Sequence, residues 1–389
     1  MRALALIDGE HYAPVVRDAL AELPYEFVGA LMLGGTEKLR GGEDYGVPLV
    51  SSIVEAAPDV VVDLSDEPVL SPAERLAWAS RALAAGARYE GADFRFEPPV
   101  FHPFPLPSLA VTGTGKRVGK TAVTGHVARL LARDRDVVVV SMGRGGPAEP
   151  VVAEAAPTVD DLLRLSRAGG HAASDYLETA ALTGVVTIGC RRCGGGLAGA
   201  TFVSNVLEGA RLAVERDPDV VVFDGSGAAI PPVAVGARIL VAHDVAAGLN
   251  AYRVLIADLV LTMDDAVAEA ARALTEAPVL RFTLRLRPVQ ELGGRRAAVF
   301  TTGPAPTDHL DADVVSVSRN LANRAALRED LASSEAEVYV VEIKAAAIDV
   351  VAEAAAERGA ELVFADNEVV PLDGDLDALV SGLAERALV

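Results

Sequence analysis

Lysine and cysteine are scarce in this sequence, and both shortages narrow the possible functions. The 389 residues include only four lysines, so arginine carries nearly all of the positive charge. The lysines are Lys38, Lys116, Lys120 and Lys344. A lysine inside a motif is therefore a strong indication of function. Two cysteines, Cys190 and Cys193, are too few for a disulfide framework.

The sequence also lacks excess positive charge and long apolar runs. The net charge of −20 argues against general binding to nucleic acid or to anionic membranes. No apolar run reaches the roughly 18 residues that a membrane span needs. The N-terminus turns polar at residues 8–11, too early for a signal peptide. We expect a cytoplasmic homodimer that acts on a small molecule and binds neither nucleic acid nor membrane.

Strand and helix signals alternate along the chain and predict an α/β fold. The length of 389 residues is enough for two or three domains, and the apolar content of 51% is enough for large cores. We predict an N-terminal α/β (Rossmann-like) domain at 1–105, a P-loop ATP-binding domain at 106–285 and a C-terminal α/β domain at 286–389. A proline-rich stretch near residue 100 predicts a stiff linker. Near-continuous apolar strands in the centre predict a parallel sheet covered on both faces.

The stretch from Val111 to Leu131, VTGTGKRVGKTAVTGHVARLL, predicts a phosphate-binding loop between a strand and a helix. Glycine allows backbone N–H groups to turn toward phosphate oxygens, and the helix N-terminus attracts the same anion. Lys120 is expected to reach the β- and γ-phosphates, and the Thr121 hydroxyl to hold Mg²⁺. The predicted ATP-binding residues are Gly113, Thr114, Gly115, Lys116, Arg117, Val118, Gly119, Lys120 and Thr121.

Three strand ends elsewhere in the central domain carry candidate site residues, because ligands gather at the carboxyl ends of parallel strands. Asp224 follows an apolar strand and is a candidate Mg²⁺ ligand, although a turn-forming aspartate is the alternative. Arg144 lies among glycines, and Arg191 with Arg192 follows a strand predicted to end at Gly189. Arginine forks pair well with phosphate oxygens, but a solvated surface pair is the alternative for Arg191 and Arg192.

Other polar residues are weaker candidates. His171 lies in a glycine-rich turn and could contact a phosphate, whereas His126 and Asp160 fit structural roles. Cys190 and Cys193 form a C-x-x-C pair, but packing explains them better than zinc does. Strands of the N-terminal domain end in a further polar set, which either lines a second ligand pocket or simply terminates the strands: Asp8, Glu10, His11, Asp63 and Asp66. In the C-terminal domain, Lys344 lies at a strand-to-helix junction and is a candidate substrate contact, and Asp366 and Asn367 lie at the next strand end.

The loop G-T-x-x-x-V-G-K-T, with a later strand ending in D-G-x-G at Asp224, resembles dethiobiotin synthetase and its MinD-like relatives. Over the whole chain the sequence is more similar to the cyclic 2,3-diphosphoglycerate synthetase family. The likeness lies in "ALIDGEHYAPVVRDAL", "SMGRGGPAEP", "FDGSGAAIPPV" and "EIKAAAIDVVAEAAAERG", besides the loop. This resemblance implies a ligase that converts 2,3-diphosphoglycerate and ATP to cyclic 2,3-diphosphoglycerate, ADP and phosphate.

That chemistry agrees with the residues. Lys120, Asp224, Lys116 and Arg144 form the predicted catalytic set, which spreads the charge of the transferred phosphoryl group with Mg²⁺. The substrate contacts are predicted at Arg144, Arg191, Arg192, His171 and Lys344. The alternatives are another ATP-dependent ligase or kinase for a small acid, and a MinD-like ATPase switch. Such switches carry a lysine directly after the first residue of the loop's eight-residue frame, where this chain has Gly115.

Overall fold

The computed structural model describes residues 1–172, 174–343 and 350–388 and confirms the predicted α/β class with a central parallel sheet. The N-terminal unit contains β1 (Arg2–Ile7), α1 (Ala13–Glu22), β2 (Glu26–Met32), α2 (Ile53–Ala56), β3 (Val60–Asp63), α3 (Pro72–Ala84), β4 (Arg88–Glu90) and β5 (Arg95–Phe96). Its sheet has the order β2-β1-β3-β4-β5, with only β5 antiparallel to its neighbour. Within the described residues, no helix is long and apolar enough to cross a membrane.

Helix α3 shows how local sequence signals fix an element. Ser71 and Glu74 form a capping box, in which each side chain binds the backbone N–H of the other, and Pro72 opens the first turn. Helix α3 therefore begins at Pro72, directly after its Ser71 cap. It packs on the helix Asn250–Leu255 of the central unit and attaches the N-terminal unit there.

The central unit contains β6 (Ser108–Gly113), α4 (Lys120–Leu131), β7 (Val137–Gly143), β8 (Val151–Ala153), α5 (Val159–Arg167), α6 (Asp175–Thr183), β9 (Val186–Cys193), β10 (Val203–Ser204), α7 (Val206–Arg216), β11 (Val220–Asp224), β12 (Ala237–Ala242), α8 (Asn250–Leu255), β13 (Leu259–Thr262) and α9 (Asp265–Arg272). Strands β9, β7, β11, β6, β12 and β13 are parallel in that order. Their apolar residues are buried on both faces, because helices cover the two sides.

The C-terminal unit continues the same sheet. It contains β14 (Val279–Pro288), β15 (Arg296–Phe300), β16 (Asp313–Ser318), α10 (Arg324–Ser333), β17 (Val338–Glu342), α11 (Ala352–Arg358), β18 (Glu361–Pro371) and α12 (Leu376–Ala387). The first half of β14 pairs in parallel with β13, and its second half pairs antiparallel with β18. Residue 285, where the sequence places a boundary, lies inside this shared strand. Helix α12 then returns to pack on β6, β12 and α4.

Side chains of helix α4 in the central unit contact acidic residues of the C-terminal unit. Arg129 donates to the carboxylate of Asp366 at 2.7 Å, and Arg287 binds the same carboxylate at 2.8 and 2.9 Å. Asp366 is buried, whereas both arginines are partly exposed. His126 contacts Asp377 of α12 at 2.8 Å, which agrees with the predicted structural role of that histidine.

Replacing Asp366 with asparagine is expected to destabilise the fold by about 2 kcal/mol, because two guanidinium groups lose a charged acceptor. Denaturant unfolding measures the effect. Asp377→Asn is the matched control at the same seam, since Asp377 is half-exposed and should cost less. Equal costs for the two variants would contradict the account.

Candidate active site

The loop between β6 and α4 has the backbone that a phosphate-binding loop needs. Gly119 has φ of 90°, and Arg117 also has a positive φ, of 61°. A Cβ on Gly113 would lie 3.1 Å from a Val118 methyl and 3.2 Å from the carbonyl oxygen of Gly227. Glycine at position 113 therefore allows the loop to approach the turn that follows Asp224.

Thr114 anchors the start of this loop to the end of β12. Its backbone N–H donates to the carbonyl of Val241 at 3.2 Å, and its hydroxyl accepts the N–H of His243 at 2.9 Å. The threonine side chain is thus occupied by the protein. The following residues, from Gly115 to Ala122, line an open cleft.

Lys120 and Asp224 meet below the loop. The Lys120 ammonium forms an ion pair with Oδ1 of Asp224, which also accepts the Thr124 hydroxyl at 2.8 Å. The Asp224 residue is only 1% exposed. Burial raises the pKa of its carboxyl above the usual range, while the Lys120 charge and the Thr124 hydrogen bond oppose that shift. The Lys120 ammonium therefore favours the ionised form of this carboxylate, against the effect of burial.

Arg144 and Arg192 converge on the turn after Asp224. A Cβ on Gly227 would clash with Nη2 of Arg144. Arg192 donates through Nη2 to the carbonyl of Ser226 at 2.7 Å and through Nη1 to that of Gly194 at 2.9 Å. Burial lowers the pKa of Arg192, and the charge of Arg144 lowers it further. The two guanidinium groups repel each other, and an anion bound between them would relieve that repulsion.

The structure separates the two arginines that the sequence treats as equivalent. Strand β9 does not end at Gly189 as predicted, because its pairing with β7 and β10 continues to Cys193. Successive side chains of a strand point to opposite faces. Arg191 is exposed, whereas Arg192 is partly buried, and neither is among the residues that line the cleft. The substrate-binding role of both arginines stays a prediction, and the hydrogen bond from Arg192 to the carbonyl of Ser226, a residue that lines the cleft, favours Arg192.

Two further side chains line the cleft close to Arg144. His171 packs against Gly145, where a Cβ would clash with the imidazole. Asp175, the first residue of α6, has a carboxylate oxygen 3.2 Å from the position of a Cβ on Gly143. Its charge contributes to the raised pKa of Asp224 and opposes the lowered pKa of Arg192. Asp175 therefore lies in the field of both groups.

Sequence reasoning missed Asp175. The only local signal is an aspartate in the first turn of a helix, which the favourable interaction with the helix N-terminus explains without function. Its proximity to Asp224 and Arg192 depends on how helix α6 packs beside strands β9 and β11, and cannot be read from spacing.

The cleft has a volume of about 1450 Å³ and lies between the central and C-terminal units. Lys116 and Arg117 are exposed along its rim. Its C-terminal wall includes residues 302–306, residues 321–325 at the start of α10, and Glu342, Ile343 and Asn367. No described residue of the N-terminal unit lines it.

The C-terminal wall has its own hydrogen-bond network. Glu342 accepts the N–H and the hydroxyl of Thr302 at 2.7 and 2.9 Å, and the amide of Asn367 at 3.0 Å. Asp366 and Asn367, predicted at a strand end, both line the cleft from within the longer strand β18. Lys344, the predicted substrate contact, lies outside the described residues.

The acidic residues at the strand ends of the N-terminal unit accept hydrogen bonds from other groups of the same unit. Asp8 is fully buried and accepts the N–H groups of Glu10 and His11 at 3.0 and 3.1 Å and that of Asp66 at 2.8 Å. His11 contacts both Asp8 and Asp66. Asp63 binds Arg75, Ser65 and Tyr89. These contacts favour the structural alternative for the set.

The remaining weaker candidates have structural surroundings. Cys190 is buried against Gly209, and Cys193 is exposed at the end of β9. Burial raises the pKa of the Cys190 thiol to about 12, so the thiol is protonated at neutral pH. Asp160 lies in the first turn of α5, which Thr158 and Asp161 close with a capping box.

Family models match the chain in all three segments. They describe the N-terminal domain of cyclic 2,3-diphosphoglycerate synthetase at residues 2–97, its P-loop domain at 108–276 and its C-terminal domain at 288–368. The P-loop match agrees with the loop geometry at Gly113–Thr121 and supports binding of ATP.

Curated relatives share the whole length. The protein named cyclic 2,3-diphosphoglycerate synthetase of Rubrobacter xylanophilus is 51% identical, with 100% of this chain and 98% of the relative covered. The Thermococcus kodakarensis protein of that name is 42% identical, covering 99% of each chain. That of Methanothermus fervidus is 36% identical, covering 100% of this chain and 97% of its own. This chain therefore belongs to the cyclic 2,3-diphosphoglycerate synthetase family.

Proposed function

We propose that this chain is an ATP-dependent ligase that closes 2,3-diphosphoglycerate into cyclic 2,3-diphosphoglycerate and releases ADP and phosphate. One observation carries the proposal: the phosphate loop, Arg144 and the Gly227 turn line the same cleft. Asp224 pairs with Lys120 of that loop, and Arg192 binds the carbonyl of Ser226 in that turn. A nucleotide held by the loop and a polyanion held by the arginines would meet beside Gly227.

The donors below the loop fit Mg²⁺. Thr121 lines the cleft, and the buried Asp224 carboxylate already pairs with one cation, the Lys120 ammonium. Hydroxyl and carboxylate oxygens are the ligands that Mg²⁺ takes in nucleotide sites. Bound there, Mg²⁺ would neutralise negative charge on the phosphates. Thr121 and Asp224 are the residues that would hold it.

Lys120 carries a positive charge that can move between two partners. In the structure its ammonium pairs with Asp224. We infer that bound triphosphate draws the ammonium toward the β- and γ-phosphates, since they carry more negative charge than one carboxylate. The glycine-rich backbone from Gly115 to Gly119 would donate N–H groups to the same oxygens. Lys116 and Arg117 at the rim add positive charge near the transferred group.

The acid binds at Arg144 and Arg192, with His171 beside them. The protein carries a net charge of −20, so its average field repels a substrate with two phosphates and a carboxylate. Binding must come from short-range contacts, and paired guanidinium groups provide them. An anion bound between the two arginines would relieve their repulsion.

The reaction needs proximity more than acid–base chemistry. An oxygen of one substrate phosphate attacks the γ-phosphorus of ATP, forming a new P–O–P bond as ADP leaves. An oxygen of the second phosphate then attacks the phosphorus of the first, closing the ring, and inorganic phosphate carries away the bond electrons. Both nucleophiles are already anionic, so no side-chain base is required. The site holds the groups together and spreads the developing charge.

Arg192→Ala is expected to weaken binding of the acid by about 1.5–3 kcal/mol, which is the contribution of a charged hydrogen bond. Arg191→Ala tests the contribution of the neighbouring arginine, whose side chain is exposed on the other face of β9, and is expected to have a smaller effect. Calorimetric titration with 2,3-diphosphoglycerate measures both, and titration with ATP should change far less in either variant. Wild-type affinity in Arg192→Ala would place the acid elsewhere, with the strand ends near Asp8 as the next candidates.

Substrate choice tests the function itself. The initial rate of ADP release is measured with 2,3-diphosphoglycerate, with 2-phosphoglycerate, with 3-phosphoglycerate and with no acid. We expect rapid release only with the bisphosphate, because ring closure requires two phosphates. Release with a monophosphate would favour a kinase, and release without acid would favour an ATPase switch.

Light scattering tests the proposed homodimer, and cell fractionation tests the proposed cytoplasmic location.

A further inference from the structure

Arg253 is a buried cation in helix α8 whose contacts are all with uncharged oxygens. The residue is 2% exposed. Its Nε and Nη2 both donate to the carbonyl of Ala228, at 2.9 and 2.6 Å. Its Nη1 donates to the carbonyls of Leu197 and Leu249 at 2.9 and 3.2 Å and is 3.3 Å from Oδ1 of Asn250. Among the described residues, no carboxylate forms an ion pair with it.

Packing alone does not explain why a guanidinium is buried at this position without a carboxylate. Burying a guanidinium without a counter-ion costs free energy, and here burial lowers its pKa to about 10. The group still stays charged at neutral pH. What the guanidinium offers in return is a planar fork with several donors in fixed directions. Its geometry suits the clamping of separate stretches of backbone.

The two clamped segments are those that hold the arginine site. Ala228 follows Gly227 and Ser226, and the Ser226 carbonyl accepts Arg192. Leu197 lies in the 194–199 loop, which begins with the Gly194 carbonyl that accepts the other nitrogen of Arg192. The carbonyl of Gly199 accepts the N–H of Ile230, which joins the far ends of the two segments. Arg253 therefore binds the two backbone segments whose other carbonyls, those of Gly194 and Ser226, accept hydrogen bonds from Arg192.

We propose that Arg253 is a positioning residue that clamps the 194–199 loop to the 226–229 turn, and so sets Arg192 for the acid substrate. This proposal rests on the proposed function for the identity of the acid. Neither Arg253 nor Arg192 is among the residues that line the cleft, whereas Ser226 and Gly227 of the clamped turn are. Its influence passes through the backbone carbonyls that hold Arg192.

The test compares Arg253→Met, Arg253→Lys and the control Arg238→Met. Methionine keeps length but removes all donors, and lysine keeps the charge with fewer directed donors. Arg238 is a partly buried arginine of β12 that stacks on Phe101 and makes no described contact with either clamped segment. Steady-state kinetics give kcat and separate KM values for 2,3-diphosphoglycerate and ATP. Thermal unfolding reports stability.

Arg253→Met is expected to raise KM for the acid by about tenfold or more, the effect of about 1.4 kcal/mol, while KM for ATP stays within about twofold. Arg253→Lys should give a smaller rise, and Arg238→Met should change neither KM. An unchanged KM for the acid in a folded Arg253→Met protein would overturn the proposal, as would equal rises for acid and ATP. If the methionine variant does not fold, the lysine variant decides by the same criteria.

Hydrogen exchange separates this proposal from the proposed function. Without any ligand, backbone amides at 194–199 and 226–230 should exchange faster in Arg253→Met or Arg253→Lys than in wild type or Arg238→Met. Unchanged exchange in these segments would overturn the clamp. A wild-type protein that does not turn over 2,3-diphosphoglycerate would overturn the proposed function, and the exchange result would still decide whether Arg253 holds the segments.

Discussion

Lys120→Ala is expected to lower turnover by about 10³-fold or more while the protein stays folded. The substitution removes the ammonium that pairs with Asp224 and would reach the phosphates of bound ATP. A loss of that size corresponds to about 4 kcal/mol of transition-state stabilisation. Steady-state release of ADP with saturating 2,3-diphosphoglycerate measures it.

Lys38→Ala is the control, because it removes another of the four lysines, in the N-terminal unit and far along the chain from the loop. It should leave turnover unchanged. Circular dichroism on Lys120→Ala excludes unfolding as the cause of a loss. Near-normal turnover in a folded Lys120→Ala protein would remove the loop from the mechanism.

The second large effect is expected for Asp224→Asn, at about 10²-fold or more in rate. Asparagine keeps the size of the side chain and an oxygen that can accept the Thr124 hydroxyl, so folding should suffer little. It removes the negative charge that pairs with Lys120 and would hold Mg²⁺. The rate should therefore fall, and the Mg²⁺ concentration for half-maximal rate should rise.

Asp219→Asn is the matched control, since Asp219 precedes the same strand β11 at its opposite end. Its carboxylate accepts the N–H of Asp136 at 2.7 Å on the exposed side. Rate and Mg²⁺ dependence should match wild type in that variant. If Asp224→Asn also keeps the wild-type rate and Mg²⁺ requirement, Asp224 is only a turn residue.

The parts of the site that the sequence could predict are those that local chemistry determines. The loop from Gly113 to Thr121 needs glycines in fixed places, and the β-strand before it and the helix after it carry their own periodicity. Asp224 was predictable because an apolar run ends at it and glycines follow. The capping signals at Ser71 fixed the start of α3 in the same local way.

The parts that the sequence could not predict depend on pairing between distant segments. Strand β9 continues through Arg191 and Arg192 because β7 and β10 supply partners, and that pairing assigns the two arginines to opposite faces. Strand β14 joins two units because β18, which begins 73 residues after β14 ends, pairs with its second half. Asp175 lies in the field of Asp224, and Arg253 binds the carbonyl of Ala228, across chain separations that no spacing rule covers.

The most direct test of the account is phosphorus NMR of the protein incubated with ATP, Mg²⁺ and 2,3-diphosphoglycerate. The account predicts that the two phosphate-ester signals of the substrate are replaced by a coupled pair of anhydride signals, with one ADP and one inorganic phosphate formed for each ring closed. A reaction that consumes ATP but leaves both substrate signals unchanged, or that stops at a linear phosphorylated acid, would contradict it.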